Sequence, residues 1–260
     1  MTIKDHLYTA RWAITKAIND NDYGAVLDLA AGSIIQAKAL SITEEPERPD
    51  EPPAIIDYAI PEVVKVAGVK APSRGNYRTD SGKAQGLVVH YTVSGRTKKS
   101  AKAVLSGLVR RGLCCMVMDE DGVIYVPENF DLVRDVGYHA GASSWKGKTS
   151  VSFYCMGMEI CNWGRLNSET KQYAKDFRVS EGKDNVKKGE YEKYTAAQEE
   201  SLINFIMWQL DTNPEFQIDW IVGHDEVAPT RKTDPGASLS MTMPQLRSHI
   251  KGLVKGRELK

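Results

Sequence analysis

The sequence predicts an α/β fold: a mixed central β-sheet flanked by helices, preceded by a small N-terminal helical module. Three observations carry that prediction. Short apolar runs alternate with segments of helical spacing from about residue 86 onward, the pattern of a sheet covered by helices. An acidic, proline-rich stretch, TEEPERPDEPPA at Thr43–Ala54, reads as a stiff solvated linker. No internal repeat is present, which excludes a solenoid or propeller. The expected organisation is a helical module over 1–42, a linker over 43–54 and a main domain over 55–260.

In the module, Ile3, Leu7, Ala10 and Ile14 recur at helical spacing, and so do Val26, Leu27, Ala30, Ile34 and Ala37. Two helices, 3–19 and 23–40, are therefore expected. Forty residues are few for an independent core, so targeting, docking or self-association is the expected role. After the linker, Ile55–Val69 reads as short apolar pieces cut by Pro61 and Gly68.

In the main domain, Gly86–Tyr91 (GLVVHY) is a buried strand ending near His90. Ser100–Arg111 reads as a helix, with Ser100 as N-cap and Gly112 as stop. Leu113–Met118 and Val123–Val126 are strands joined by the turn signal DEDG. Cys155–Cys161 (CMGMEIC) is a further strand and carries Glu159. Trp163–Tyr191 is polar and lysine-rich and reads as an insertion or lid. Thr195 caps a helix running to Leu210. Trp220–Val222 is a strand that leads into a loop, and Thr242 caps the last helix.

Composition narrows the function classes. Of the 260 residues, 34 are Lys or Arg and 34 are Asp or Glu, so the basic excess of a nucleic-acid or membrane-surface binder is missing. No stretch approaches the ~18 consecutive apolar residues of a membrane span. The first twenty residues carry both charge signs and no apolar core of a signal peptide, so synthesis in the cytoplasm is expected. Cys114, Cys115, Cys155 and Cys161 form no CxxC pair and read as free thiols.

The loop Ile221–Met241, IVGHDEVAPTRKTDPGASLSM, concentrates the chemistry. His224 follows an apolar strand, Asp234 lies ten residues on, and Pro229 and Pro235 hold the segment out of helix. An imidazole and a carboxylate on one rigid loop suit zinc. A third ligand at another strand end is supplied by His90. The set His90, His224 and Asp234 leaves one coordination position open, as catalytic zinc sites do. His6 and His249 fall in helical patterns and read as surface residues. Glu159, a carboxylate inside an apolar strand, is either the proton handler or half of a structural salt bridge. Lys232 either stabilises an oxyanion or is a surface lysine.

His90 on its strand, HAGxSxW at His139–Trp145, MGMEIC around Glu159 and GHDEVAPTRKTDPG resemble, in this order, the type-2 N-acetylmuramoyl-L-alanine amidase family. That family includes phage amidase endolysins, bacterial muropeptide amidases and peptidoglycan recognition proteins. The resemblance covers roughly residues 84–254 and extends to KYTAAQ at Lys193–Gln198. It implies a Zn²⁺ enzyme that cuts the amide between N-acetylmuramic acid and L-alanine in bacterial peptidoglycan. By position it makes His90, His224 and Asp234 the metal ligands, Glu159 the catalytic acid/base and Lys232 the oxyanion partner. His139 becomes a substrate contact and not a ligand; Trp145 either stacks on substrate or packs in the core. Some members carry a tyrosine on the strand after the first helix; here Cys114, Cys115 and Met116 stand there, so no catalytic tyrosine is assigned.

Three functions are compatible with the resemblance. One is a phage endolysin that reaches the wall through a holin-type partner. The second is a cytosolic amidase that recycles muropeptides. The third is a non-catalytic sensor, disfavoured because all three ligands and Glu159 are present. The oligomeric state is left open by the sequence.

Overall fold

A computed structural model describes residue 59 and residues 61–71, 82–113 and 116–258. These lie in the compact unit Ala54–Lys260. The two N-terminal helices, the linker and Cys114–Cys115 lie outside the described residues.

Alternating apolar runs become a six-stranded sheet. Its strands are β1 (Val63–Val66), β2 (Gly86–Tyr91), β3 (Met116–Met118), β4 (Ile124–Pro127), β7 (Cys155–Ile160) and β10 (Ile221–Gly223). Their order across the sheet is β1-β4-β3-β7-β2-β10. Neighbours run parallel except the β3–β4 hairpin, so the sheet is mixed. Its central strands are buried on both faces and read as continuous apolar runs.

Strand alternation sorts the side chains onto two faces. On one face Leu87, Val89, Met156, Met158, Ile160 and Ile221 form the main core with two long helices. These are α2 (Ala196–Thr212) and α4 (Met243–Glu258), which contribute Leu202, Phe205 and Ile206, and Leu246 and Ile250. The opposite face is covered in two separate patches. Helix α1 (Lys98–Arg110) packs Ala101, Leu105 and Leu108 on Val117, Tyr125 and Cys161. At the other end Val151, Trp220 and Val227 pack on Val88, Cys155 and Val222. The sheet surface between these patches carries His90 and Glu159, and there the cleft opens.

Several boundaries differ from the sequence expectation. Helix α1 begins at Lys98 with Thr97 as N-cap, its hydroxyl accepting from the Ser100 N–H; Ser100 is in the third helical position. Both residues are good caps, and only the loop geometry chooses. The edge strand β1 was not anticipated, because its four residues sit beside Pro61 and Gly68. The Trp163–Tyr191 insertion is ordered as an antiparallel ribbon of β8 (Phe177–Ser180) and β9 (Gly189–Glu192). It is anchored where Arg178 donates to the carbonyls of Ala237 and Leu239 and where buried Glu192 pairs with Arg96 at 2.5 Å. No helix among the described residues is long and apolar enough to cross a membrane.

Candidate metal and catalytic centre

Each candidate ligand is delivered by a different piece of backbone. His90 is the fifth residue of β2. His224 opens a one-turn helix, α3 (His224–Val227), directly after β10. A loop was expected there; Pro229 ends the helical segment within a turn instead of preventing it. Asp234 returns to the same point because its carbonyl accepts from the Asp225 N–H at 2.7 Å. The three side chains are 1%, 2% and 6% exposed, and one donor atom from each lies within 4.8 Å of the others. Asp234 Oδ2 is 2.9 Å from His90 Nδ1 and 2.8 Å from His224 Nδ1.

The outer ring nitrogens decide what those short distances mean. A carbonyl oxygen only accepts. His224 Nε2 lies 3.0 Å from the Ala140 carbonyl, so it carries a proton; in the neutral ring Nδ1 is then a bare lone pair turned toward Asp234. His139 Nε2 lies 2.9 Å from the Cys155 carbonyl and must donate, which makes His139 Nδ1 an acceptor. His90 Nε2, 2.9 Å from that Nδ1, is then the donor, and His90 Nδ1 is also bare. A second proton on His90 is disfavoured: burial first, and His224 next, lower its pKa to about 4. Burial also holds His139 well below the ordinary imidazole value. With both rings neutral, as a bound cation requires, three lone pairs converge at contact distance. A cation between them removes the repulsion, and two imidazole nitrogens with a carboxylate oxygen are a zinc-type donor set.

Glu159 stands in register beside His90 across the β2–β7 pair. It lines the same cleft, of about 570 Å³, and no ion pair engages it among the described residues. Burial first, then the charge of Asp234, push its pKa up to about 8, while Lys232 and Arg111 oppose the rise. Lys232 also lines the cleft.

His139 reaches the cleft wall, but both its ring nitrogens are engaged as above. Its ring lies directly on Gly157; a Cβ there would come within 2.6 Å of His139 Cγ. Trp145 takes the packing alternative. It belongs to the small hairpin of β5 (Ser144–Trp145) and β6 (Lys148–Thr149) and is not part of the cleft wall. Its indole N–H donates to the Asp219 carbonyl at 2.8 Å, its ring carries the Arg247 guanidinium at 5.5 Å, and it packs with Trp220 and Val222. The indole is committed to packing.

Arg231 was overlooked in the sequence. It donates to the carbonyls of Ala140 and Ala142 at 2.7 and 2.8 Å, pinning the turn whose carbonyl orients His224. Tyr194, whose hydroxyl donates to the His90 carbonyl at 3.0 Å, and the Tyr91–Thr233 hydroxyl pair brace the site from the other side. Arg231 and Thr233 sit inside the GHDEVAPTRKTDPG motif and Tyr194 inside KYTAAQ, which were signals for them; Tyr91 offered none.

Comparison with known proteins follows the same segments. No curated protein matches the chain. Among solved structures, the amidase AmiD from E. coli, in complex with an anhydro-N-acetylmuramic acid peptide, is 22% identical over 65% of this chain and 57% of its own, with TM-score 0.42. The endolysin LysCS from Clostridium intestinale is 16% identical over 74% and 97%, with TM-score 0.46. The peptidoglycan recognition protein PGRP-SA of Apis mellifera is 15% identical over 68% and 92%, with TM-score 0.44. The family model Amidase_2, N-acetylmuramoyl-L-alanine amidase, matches residues 80–237. That span is more than half of the chain and contains every residue of the centre, so the chain belongs to the N-acetylmuramoyl-L-alanine amidase family.

Proposed function

We propose that this chain is a zinc-dependent N-acetylmuramoyl-L-alanine amidase that hydrolyses the amide between N-acetylmuramic acid and L-alanine in peptidoglycan, and that it acts as a phage endolysin. The observation that carries the enzymatic reading is the convergence of His90 Nδ1, His224 Nδ1 and Asp234 Oδ2 beside Glu159, which no ion pair engages among the described residues. His90, His224 and Asp234 hold the ion. Zinc bound there supplies Lewis acidity, polarising a carbonyl and acidifying water.

The chain's own groups handle the protons. Glu159, as carboxylate, takes a proton from the water that adds to the amide carbon. The Lys232 ammonium faces the cleft and steadies the negative charge that develops on the carbonyl oxygen. Glu159 then returns the proton to the alanine nitrogen as the C–N bond breaks. The products are a lactyl carboxylate and a free alanine amine. A carboxyl whose pKa lies near the working pH can serve in both directions. His139 and Arg231 hold the two imidazoles in their tautomers.

The endolysin reading rests on the organisation of the chain: a proposed N-terminal targeting module over 1–42, a linker over 43–54, and release to the wall through a holin-type partner. Product analysis tests the proposal. Purified protein is incubated with intact sacculi and, separately, with a soluble muropeptide, and new amino termini and new reducing ends are counted. New alanine termini without new reducing ends are expected. Cleavage of the soluble fragment alone would replace the lysin by a recycling enzyme. Tight binding without any cleavage would make it a sensor.

A further inference from the structure

We propose that the ribbon insertion carries a glycan subsite, an aromatic patch that holds the sugar strand of the substrate as it leaves the cleft; this rests on the amidase reading. Trp163 and Tyr173 stack with ring centroids 5.0 Å apart and planes at 27°. Tyr173 is 56% exposed, Phe177 40% and Val179 57%. Phe177 and Val179 alternate onto the outward side of β8, while the intervening Arg178 turns in to its carbonyl partners. Of the six large apolar side chains exposed among the described residues, three are therefore on this one insertion. A grouped apolar surface of this kind marks a binding face.

The backbone on either side of Trp163 is tied to the cleft wall. The Ser94 N–H donates to the Asn162 carbonyl. Gly164 lies so close to the Tyr91 ring that a Cβ would come within 2.3 Å of it. Tyr91 and Val93 line the cleft. Trp163 thus sits between two residues packed against the cleft wall.

Charge selects the occupant. The scissile amide joins a peptide bearing carboxylates to an N-acetylated sugar strand whose rings are uncharged. The cleft wall offers Arg111, Arg231 and Lys232, which suit the peptide. The patch offers ring faces, and the Lys171 ammonium, 5.0 Å from the Phe177 ring, is paired with Glu190 at 2.7 Å. The apolar C–H face of a hexopyranose packs on exposed aromatic rings without needing charge.

The test uses the full chain and peptide-free β-1,4-linked N-acetylhexosamine oligomers, titrated calorimetrically into wild type, Tyr173→Ala and Phe177→Ser. Both side chains are exposed, so the fold does not depend on them. Affinity about tenfold weaker in Tyr173→Ala is expected, the loss of one good ring contact, with a smaller loss in Phe177→Ser. The ratio of kcat/KM on sacculi to kcat/KM on a single-disaccharide muropeptide should fall by a similar factor. Unchanged affinity in both variants overturns the subsite. So does a wild-type chain that binds no oligomer, or a dimer that Tyr173→Ala dissolves, which would assign the patch to a second copy. Tyr173-dependent oligomer binding in a chain that cuts no amide would keep the subsite and sink the amidase reading.

Discussion

Glu159 is a carboxyl facing a cleft with no ion pair, in register with His90, and its protonation sets the pH behaviour expected of the enzyme. A base must be deprotonated to accept, so kcat/KM should rise as pH rises through the Glu159 pKa. That pKa is about 8 with Asp234 charged beside it. A cation held by Asp234 offsets part of that charge, so the acid limb should fall at or below about 8. Glu159→Gln should bind zinc at wild-type stoichiometry and lose about 10²–10⁴ in kcat; full activity would sink the acid/base assignment. Lys232 lowers the Glu159 pKa, so Lys232→Met should move the acid limb to higher pH as well as slow turnover. An unmoved limb would remove Lys232 from the cleft chemistry. His139→Ala frees His90 to take the other tautomer, with its proton on Nδ1. Zinc affinity should fall about 10–100-fold, read by competition with a chromophoric chelator. Gly157→Ala should reproduce part of that loss by displacing the His139 ring, whereas wild-type affinity in both variants would contradict the tautomer argument.

At the scale of elements, the caps were the most legible part of the sequence. Thr195 accepts from the Gln198 N–H, and Gln198 returns a bond to the Thr195 N–H, the full capping box of α2. Thr195 also donates to the Glu120 carbonyl at 2.7 Å, tying the helix start to the β3–β4 turn. Thr195→Ala should cost about 1–2 kcal/mol, measured by urea unfolding; a change below experimental error would mean water replaces both contacts. The strands β2, β7 and β10 were legible as apolar runs and the helices α2 and α4 by their length and apolar spacing, and the three candidate ligands stood out because His at a strand end and Asp in a proline-bounded loop are unusual. What was not legible shares a cause. Thr97 and Ser100 are equivalent as caps until the preceding loop is placed. The ribbon β8–β9 is held by side chains that bond to residues about sixty positions away, such as Arg178 to Ala237 and Leu239, and no local pattern announces that. Trp145 looked like a cleft residue because HAGxSxW reads as one motif, yet a two-strand hairpin turns its indole to the Asp219 carbonyl. Arg231 lies inside the GHDEVAPTRKTDPG motif, but it works through the carbonyl oxygens of Ala140 and Ala142, so the residue types alone did not reveal its role.

At the largest scale described, the domain keeps stability and chemistry on opposite faces of one sheet. The large core with α2 and α4 lies behind, and the other face is covered only at its two ends, by α1 and by the Trp220–Val227 patch. The ligands therefore sit where no apolar burial holds the sheet surface, and they come from β2, α3 and the loop after it. With both rings neutral and no ion, the bare nitrogens and the Asp234 carboxylate repel one another across these three segments. Occupancy removes that repulsion and joins the segments, so metal binding should appear as global stability. An ion that binds only the folded state at a thousandfold excess over Kd adds about 4 kcal/mol. For a unit of about 200 residues that corresponds to a Tm rise of about 8–16 °C. Thermal unfolding of chelator-treated protein, repeated after Zn²⁺ is returned, reads this directly, with amidase activity lost and restored in step. The same titration on Asp234→Ala should show a much smaller rise. An equal rise there would place the ion elsewhere and leave the convergence at His90 and His224 without its cation.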